Sequence, residues 1–296
     1  MRRKPVVILR WLCLQDRVVA IRSGRPIPLD VCSVTQGNIR RLSFLSTAYG
    51  LMADLDLGTE HLRWMGDARF VVGFIQGALA KRKYGVELAM RVVDGDKHSI
   101  ARTYADERHR ASAAASTSES GADGLPPLKY GTATDTLAPV LSRESHFPTS
   151  IATPSDEQQQ QQGWHVVEAP LLFFYAGTLP YVAKEHMFFP AAAISDGLID
   201  LVVCPPMSRI SALQALDGTD KGSTFANKQA RYYKCTAFRL SPRKLPGTQT
   251  CENLAIDGER FPPFEPVQVE VHPRLARVIS LKPNWAGLDS LPLPKA

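Results

Sequence analysis

The sequence predicts a mainly β fold with a few helices, arranged as an antiparallel sandwich or barrel. Several segments are rich in β-branched and aromatic residues and are bounded by Gly, Pro and Asp, as strands commonly are. Helical spacing of apolar residues occurs in far fewer places, and many strands with few helices are typical of sandwiches and barrels. The strand segments in the second half of the chain are residues 165–167, 171–175, 198–203, 232–240, 253–256 and 268–281.

The first part of the chain contains a predicted strand at residues 28–35, and residues 39–45 lead into the stretch that follows. Residues 1–20 match no element that their pattern identifies. Their basic start and short apolar run resemble a signal peptide only weakly, because Arg10 interrupts the run. Residues 1–20 therefore form an unplaced N-terminal segment.

The central stretch, residues 46–74, begins as a predicted strand. Apolar residues alternate with polar ones over residues 51–57, which is the period of two of a half-buried strand. On such a strand Asp54 and Asp56 share a face, with roughly 7 Å between them. A break at residues 58–60 follows, and the apolar spacing then predicts a helix that continues to about residue 83.

Two acids and two arginines lie close together in this stretch. A carboxylate accepts hydrogen bonds from an amine or alcohol, and a guanidinium donates a planar fork to phosphate oxygens, so the set could hold a cation or hydroxyl beside a polyphosphate. Arg63 and Arg69 are about 120° apart on an unbroken helix and converge only if the chain bends, for example at Gly66. Alternatively, Asp54 and Asp56 are solvated strand residues and the arginines form ordinary surface pairs. Spacing alone favours this alternative.

The character of the chain changes after a predicted strand at residues 84–93. Residues 101–163 include S-A-A-A-S-T-S-E-S-G-A-D-G-L-P-P and a glutamine run, and are polar and low in complexity. Such a segment lacks the apolar area to offset its ordering entropy, so it predicts a disordered insertion. The insertion would interrupt one domain, residues 21–281, which a tail of residues 282–296 follows. A short helix is predicted at residues 209–216.

Composition excludes some functions. The net charge of +6 suits ATP, an anionic membrane surface or nucleic acid. Because no Lys/Arg run is interleaved with aromatic residues, nucleic acid is the weakest of these partners. Five cysteines without a C-x-x-C pair indicate neither a zinc site nor a disulfide framework, and favour reduced thiols in the cytoplasm. No apolar run approaches the ~20 residues that span a bilayer.

Two motifs resemble a known family. The central stretch reads S-x-A-x-G-L-x-A-D-L-D-L-x-x-E-x-L-R-W-x-G-x-x-R-F, and A-I-D-G-E at residues 255–259 is followed by V-Q-V-E-V-H-P at residues 267–273. Both resemble segments of the sphingosine (sphingoid long-chain base) kinases, in the order of that family. S-D-G-L-I-D-L at residues 195–201 is also similar to lipid kinases, where it has a structural, turn-forming role. The resemblance covers residues 21–281 outside the insertion and implies the C-terminal β-sandwich lobe of these kinases.

The resemblance also implies roles for individual residues. Asp56, with Ser46 nearby, would hold the polar head of a sphingoid base, and Asp257-Gly258 would shape a turn. Nucleotide phosphates would be contacted by Arg63 and Arg69, and Glu259 would face the nucleotide or its Mg²⁺. An acyl channel would be lined by Leu51, Met52 and Phe70, for which a plain core role is almost equally favoured. Tripeptide frequency alone favours a simple hairpin turn at residues 257–259, whereas the flanking match favours the functional role.

One expected motif is missing. These kinases hold ATP chiefly with a G-G-D-G-type segment in an N-terminal lobe, and the sequence contains no G-G-D-G. The sequence therefore predicts a substrate-binding lobe, weak or inactive by itself, of a peripherally membrane-associated enzyme that uses ATP and Mg²⁺. A histidine expected soon after Lys221-Gly222 is also missing, so no lipid-pocket role is assigned there. The alternatives are a non-catalytic lipid-binding module and a fragment of a diacylglycerol or ceramide kinase, although these two lipids lack the cationic amine that suits Asp56.

Overall fold

The structure is a computed structural model. It describes residues 22–58, 77, 80, 82–109, 125–151, 163–183, 186–208, 211, 221–251, 253–262, 265–281, 288 and 290–294.

Strands dominate the described residues. The helices with defined bounds are α1 (Leu51–Gly58), α2 (Lys97–His109) and α3 (Ser223–Ala226). None of the helices that the structure describes is both long enough and apolar enough to cross a bilayer. The strands are β1 (Arg25–Gln36), β2 (Ile39–Ser43), β3 (Ser46–Gly50), β4 (Tyr84–Asp94), β5 (Val140–Glu144), β6 (Trp164–Leu171), β7 (Phe173–Gly177), β8 (Tyr181–Ala183), β9 (His186–Met187), β10 (Ile199–Cys204), β11 (Arg231–Pro242), β12 (Leu254–Ile256), β13 (Glu259–Phe261) and β14 (Val267–Ser280).

Twelve of these strands form one sheet that branches at β11. The main path runs β13-β12-β3-β7-β10-β11-β14-β1-β2, while β4 pairs with β11 and β6, and β5 pairs with β6. Strand β11 pairs first with β10 and then, further along, with β14, so the sheet divides and curls over a common core. Phe174 of β7 packs against Phe238 of β11 across that core, with ring centroids 5.1 Å apart. The predicted antiparallel, sandwich-like fold is confirmed.

The prediction of a strand at residues 51–57 is wrong, because these residues form α1. Leu51, Met52 and Ala53 are all buried, which a strand with one solvated face could not achieve. The segment contains good helix formers and no β-branched residue. Strand β3 ends at Gly50, whose φ of +74° favours glycine and whose added Cβ would lie 2.9 Å from the Leu172 carbonyl oxygen.

The prediction of disorder at residues 101–163 is wrong for the parts that the structure describes. Helix α2 extends to residue 109, β5 pairs in parallel with β6, and Phe147 is buried. Side chains of β14 hold the backbone of this segment. The Gln268 amide donates to the carbonyls of Tyr130 and Gly131, and the Glu270 carboxylate accepts the N–H groups of Lys129 and Tyr130. Residues 110–124 and 152–162 lie outside the described residues.

The remaining strand predictions are confirmed with small changes in their bounds, except that residues 171–175 span the end of β6 and the start of β7, with a break at Leu172. Residues 232–240 lie within β11, residues 268–280 within β14, and residues 199–203 within β10. The predicted helices at residues 60–83 and 209–216 fall almost wholly outside the described residues. Most of the core lies between the two branches of the sheet and includes residues of α1.

Candidate functional site

Strand β3 and helix α1 place Ser46 and Asp56 in one region. The chain turns sharply from β3 into α1 at Gly50, and the Leu51 N–H donates to the Leu172 carbonyl at 3.0 Å. Strand β3 lies between β12 and β7 in the sheet. Ser46, at the start of β3, is therefore fixed by strands on both sides, while Asp56 lies half-buried towards the end of α1.

Tyr175 of β7 is the residue that Ser46 and Asp56 share. In the register of β3 and β7, Ala48 is opposite Tyr175 and Ser46 is opposite Gly177, so Ser46 and Tyr175 are diagonal neighbours on one face. Burial raises the pKa of Tyr175 well above its ordinary value, the charges of Asp56 and Asp257 raise it further, and a hydrogen bond with Ser46 opposes this. The hydroxyl of Tyr175 therefore stays neutral beside both proposed substrate-binding groups.

The ring of Tyr175 is held in the core by two aromatic neighbours. Its centroid lies 5.2 Å from that of Phe188 and 5.4 Å from that of Phe189. Sequence analysis did not identify Tyr175. The available signal was a tyrosine within the apolar run of a buried strand, because a buried phenol normally has a hydrogen-bonding partner.

Asp257 holds the turn that leads into Ser46. Its Oδ1 accepts the Ser43 hydroxyl at 2.8 Å and the N–H groups of Leu45 and Ser46 at 3.0 and 2.9 Å, and its Oδ2 accepts the Phe44 N–H at 3.2 Å. Asp257 and Gly258 both have positive φ values, 52° and 79°, as a tight hairpin turn between β12 and β13 requires. The D-G pair therefore forms a hairpin turn, and the aspartate also orders a second turn.

Glu259 begins β13 at the edge of the sheet. Its side chain is 77% exposed and lies 3.8 Å from Arg41 Nη1. An exposed carboxylate at a strand edge is accessible to a ligand, but its contact with a nucleotide remains a prediction. Arg63, Arg69 and Phe70 lie outside the described residues, so their predicted roles are untested.

The expected pairing of Asp54 with Asp56 on one face is wrong. Residues two apart on a helix point in directions about 200° apart. Asp54 accepts hydrogen bonds from Arg82 Nη1 at 3.0 Å, the Tyr84 hydroxyl at 2.5 Å and Asn253 Nδ2 at 2.8 Å. Asp54 therefore joins α1 to β4 and to the chain before β12.

Leu51 and Met52 are 1% and 7% exposed and belong to the main core. These positions satisfy the alternative, plain core role that the sequence also allowed. Their part in an acyl channel remains a prediction.

A second polar cluster lies buried beside the S-D-G-L-I-D-L motif. Lys234 Nζ lies 2.8 Å from Asp196 Oδ2 and 3.1 Å from Asp200 Oδ2, and the Tyr232 hydroxyl donates to Asp200 Oδ1 at 2.6 Å. Asp196 also accepts the Leu198 N–H at 3.0 Å, in keeping with its predicted turn role. Burial lowers the pKa of Lys234, but the two carboxylates raise it more, so the ammonium stays charged. Sequence analysis did not identify Lys234.

Asp30 of β1 is a nearby buried acid that connects the S-D-G-L-I-D-L turn to strand β14. It is 0% exposed, and its carboxylate accepts the N–H groups of Gly197 and Arg274, both at 2.6 Å. Burial raises the pKa of Asp30 to about 6. These contacts are saturated and internal, so the cluster stabilises the fold instead of offering a binding site.

Side chains that could bind a metal ion are not clustered in the described part of the chain. The described residues contain no group of three or more His, Cys, Asp or Glu side chains arranged to hold a metal ion. Glu259 supplies one carboxylate oxygen pair at most. No step of a reaction is therefore assigned to Mg²⁺ from these residues.

Comparison with known proteins is consistent with this geometry. Residues 156–280 match the family model described as the YegS C-terminal NAD kinase beta sandwich-like domain. The sequence is 30% identical over 270 residues to sphingoid long chain base kinase 4 of Schizosaccharomyces pombe, covering 91% of this chain and 51% of that protein. The chain is therefore similar to the sphingoid long-chain base kinases over most of its length.

Other long-chain base kinases align over similar lengths. Sphingoid long chain base kinase 5 of Saccharomyces cerevisiae is 29% identical over 281 residues, covering 84% of this chain and 40% of that protein. Sphingosine kinase 2 of Homo sapiens is 24% identical over 345 residues, covering 88% and 52%. The chain thus spans about half the length of these relatives. A crystal structure of a diacylglycerol kinase from Bacillus anthracis aligns with a TM-score of 0.44 and 12% identity, covering 87% of this chain and 58% of that one.

Proposed function

We propose that this chain is the substrate-binding lobe of a long-chain base kinase, which transfers a phosphoryl group from ATP to the primary hydroxyl of a sphingoid base. The observation that carries the proposal is that Ser46 and Tyr175 share one face of β3 and β7, where the charge of Asp56 on α1 is close enough to raise the pKa of Tyr175. Similarity to long-chain base kinases over 91% of the chain supports it.

The polar groups suit the head of a sphingoid base. Asp56 is half-buried, and a carboxylate accepts hydrogen bonds from an ammonium group and from hydroxyls. A hydrogen bond in which both partners are charged is stronger than a neutral one. Diacylglycerol and ceramide lack the cation, so Asp56 favours a long-chain base over either of them. Ser46, ordered by Asp257, would contact the neighbouring hydroxyls.

The apolar part of the substrate would lie against the core side of α1, with Leu51, Met52 and Phe70 lining its path. On the nucleotide side, Arg63 and Arg69 would contact the phosphates of ATP, and Glu259 would face the nucleotide or its Mg²⁺. A phosphate cradle is still required, and the relatives are about twice as long as this chain. Robust phosphoryl transfer would therefore need a nucleotide lobe in addition to these residues, working in the cytoplasm at a membrane surface.

Binding of sphingosine to the full chain tests the proposal. Calorimetric titration below the micellar concentration of the lipid should show binding that Asp56→Ala weakens by about 10- to 100-fold, the equivalent of one charged hydrogen bond. Asp106→Ala, which removes an exposed acid of α2, is the matched control. Circular dichroism and thermal unfolding would verify that both variants fold.

Each outcome distinguishes the candidates. Selective loss of affinity in Asp56→Ala, with no competition by ceramide or diacylglycerol, supports the long-chain base assignment. Equal competition by those neutral lipids would instead favour a diacylglycerol or ceramide kinase. Equal affinity of Asp56→Ala and wild type would contradict the role of Asp56 directly.

A further inference from the structure

The paired ends of β1 and β14 form a two-stranded ribbon, residues 25–29 and 276–280, and residues 22–24, 275 and 281 directly adjoin it and are counted with it. Strand β1 pairs with β14 from Arg25 to Leu29, whereas β2 pairs only with residues 32–36 of β1 and β11 only with residues 267–270 of β14. Within the described part of the chain, the ribbon therefore has no third strand beside it. We call it the β1–β14 ribbon.

The two faces of the ribbon differ. On the inner face Ile27 and Leu29 are buried in a small apolar cluster with Leu179 and Ile194. On the outer face, Ile279 is paired with Pro26 and Arg277 with Pro28. Ile279 of β14 and Leu281, which directly follows the strand, are 42% and 46% exposed.

The charge of the ribbon has one sign. Arg22, Arg25 and Arg277 are exposed, and neither residues 22–29 nor residues 275–281 include an Asp or Glu. The adjacent acid, Asp30, is 0% exposed and turned to the backbone of the neighbouring turns. The surface around the exposed apolar residues of β2 carries both signs of charge, because the nearby Arg41 is paired with the exposed Glu259.

The edge of the ribbon formed by β1 is unsuited to pairing with another protein strand. Pro26 and Pro28 alternate along β1 with residues whose backbone groups bond to β14. The backbone of the two prolines therefore faces the open β1 edge, where a proline has no N–H to donate. Prolines on an edge strand block addition of a further strand. The β14 edge of the ribbon has no proline. A negatively charged surface that contacts the outer face uses neither edge and complements the exposed arginines.

We propose that the β1–β14 ribbon docks on a bilayer surface that contains anionic phospholipids. Ile279 and Leu281 enter the interfacial layer, and Arg22, Arg25 and Arg277 contact lipid phosphates. Arginines near an anionic membrane and apolar side chains in its interface are the two contributions that hold a peripheral protein there. The proposal extends the proposed function, because a long-chain base partitions into bilayers, but the docking itself requires no sphingosine.

Sedimentation of the full chain with vesicles tests the proposal. The vesicles are phosphatidylcholine alone, or phosphatidylcholine with phosphatidylserine, without sphingosine. Wild type should bind the anionic vesicles, and raising the salt from about 0.1 M to about 1 M should weaken binding because the Debye length falls from about 10 Å to about 3 Å. Arg22→Ser/Arg25→Ser/Arg277→Ser should reduce affinity on the order of 100-fold, at about fivefold per arginine.

A second variant and a matched control complete the design. Ile279→Ser/Leu281→Ser should weaken vesicle binding while keeping its salt dependence. Leu141→Ser/Arg143→Ser changes one apolar residue that is 47% exposed and one arginine whose side chain is 66% exposed, on β5, and should bind like wild type. Thermal unfolding confirms that each variant is folded.

Several results would overturn the proposal. These are failure of wild type to bind anionic vesicles, wild-type binding by both ribbon variants, and equal loss in the β5 control. Because sphingosine is absent from the vesicles, loss of membrane binding and loss of sphingosine binding are separate outcomes. A chain that binds anionic vesicles through the ribbon but not sphingosine would contradict the proposed function and leave the docking surface standing.

Discussion

Ser46 and Asp257, 211 positions apart in the chain, are joined by two hydrogen bonds. The Asp257 N–H donates to the Ser46 carbonyl at 2.8 Å, and the Ser46 N–H donates to Asp257 Oδ1 at 2.9 Å. The conformation of the chain at Ser46 is therefore set by a residue of the D-G-E hairpin. The hairpin supports the candidate site through its aspartate, whatever ligand Glu259 contacts.

Asp257→Ala should lower the free energy of unfolding by about 3 kcal/mol, because buried N–H groups lose their acceptor and alanine is strained at a positive φ. Sphingosine affinity should fall with it. Urea unfolding measures the change, and Glu259→Gln, at an exposed neighbouring position, should stay within about 0.5 kcal/mol of wild type. Equal effects of the two substitutions would show that Asp257 does not order the turn.

Tyr175→Phe should weaken sphingosine binding about five- to tenfold, since the Ser46 hydroxyl loses its buried partner, and should cost about 1–2 kcal/mol of stability. The control is Tyr233→Phe, which removes a buried hydroxyl that donates to the Pro148 carbonyl. It should cost similar stability without changing affinity. If both variants bind sphingosine equally well, Tyr175 is only a core residue.

Lys234→Met should destabilise the chain by about 3–5 kcal/mol at pH 7, because Asp196 and Asp200 are left buried without a counter-charge. The penalty should shrink near pH 5, since burial already raises the pKa of Asp200 and favours its protonation. Urea unfolding at both pH values measures this. Lys228→Met, at an exposed position, should have little effect at either pH; a small, pH-independent effect of Lys234→Met would refute the account.

His272 should make stability fall as the pH is lowered. Burial, and then the charges of Arg40 and Lys129, lower the pKa of His272 to about 4. Between about pH 6.5 and pH 4 the unfolded chain therefore binds a proton at this residue that the folded chain does not bind. The loss should approach about 3 kcal/mol across that range. His272→Gln, which can keep a bond to the Ser33 hydroxyl, should show a correspondingly flatter pH profile. Parallel profiles of the two proteins would contradict the assignment.

Most strands could be predicted because buried strands are rich in β-branched and aromatic residues, which the local sequence shows directly. Val, Ile, Tyr and Phe concentrate in β10 and β11, where both sides of the strand are buried over most of the length. Residues 51–57 show the limit of this approach. Their alternating pattern fits a strand, yet their composition favours a helix, and the sharp turn at Gly50 decides between the two.

The insertion shows a different limit. Its polar composition gives no indication that another part of the chain supplies hydrogen bonds to residues 129–135. Gln268 and Glu270 on β14 and Arg239 on β11 bond to the backbone of residues 129–135. Polar side chains that bind a backbone leave no periodic signal in the segment they bind.

The mainly β architecture, the resemblance to long-chain base kinases and the candidate residues Ser46, Asp56, Asp257 and Glu259 could all be predicted, because they depend on strand composition and contiguous motifs. The folded chain was needed to show that Asp54 bonds to Arg82, Tyr84 and Asn253, that Ser46 and Tyr175 share a face, and that Lys234 lies between two buried acids. These relations depend on strand register and on the direction of a helix. A one-residue change in register turns a side chain to the opposite face, and no local pattern in the chain records which partner it will meet there.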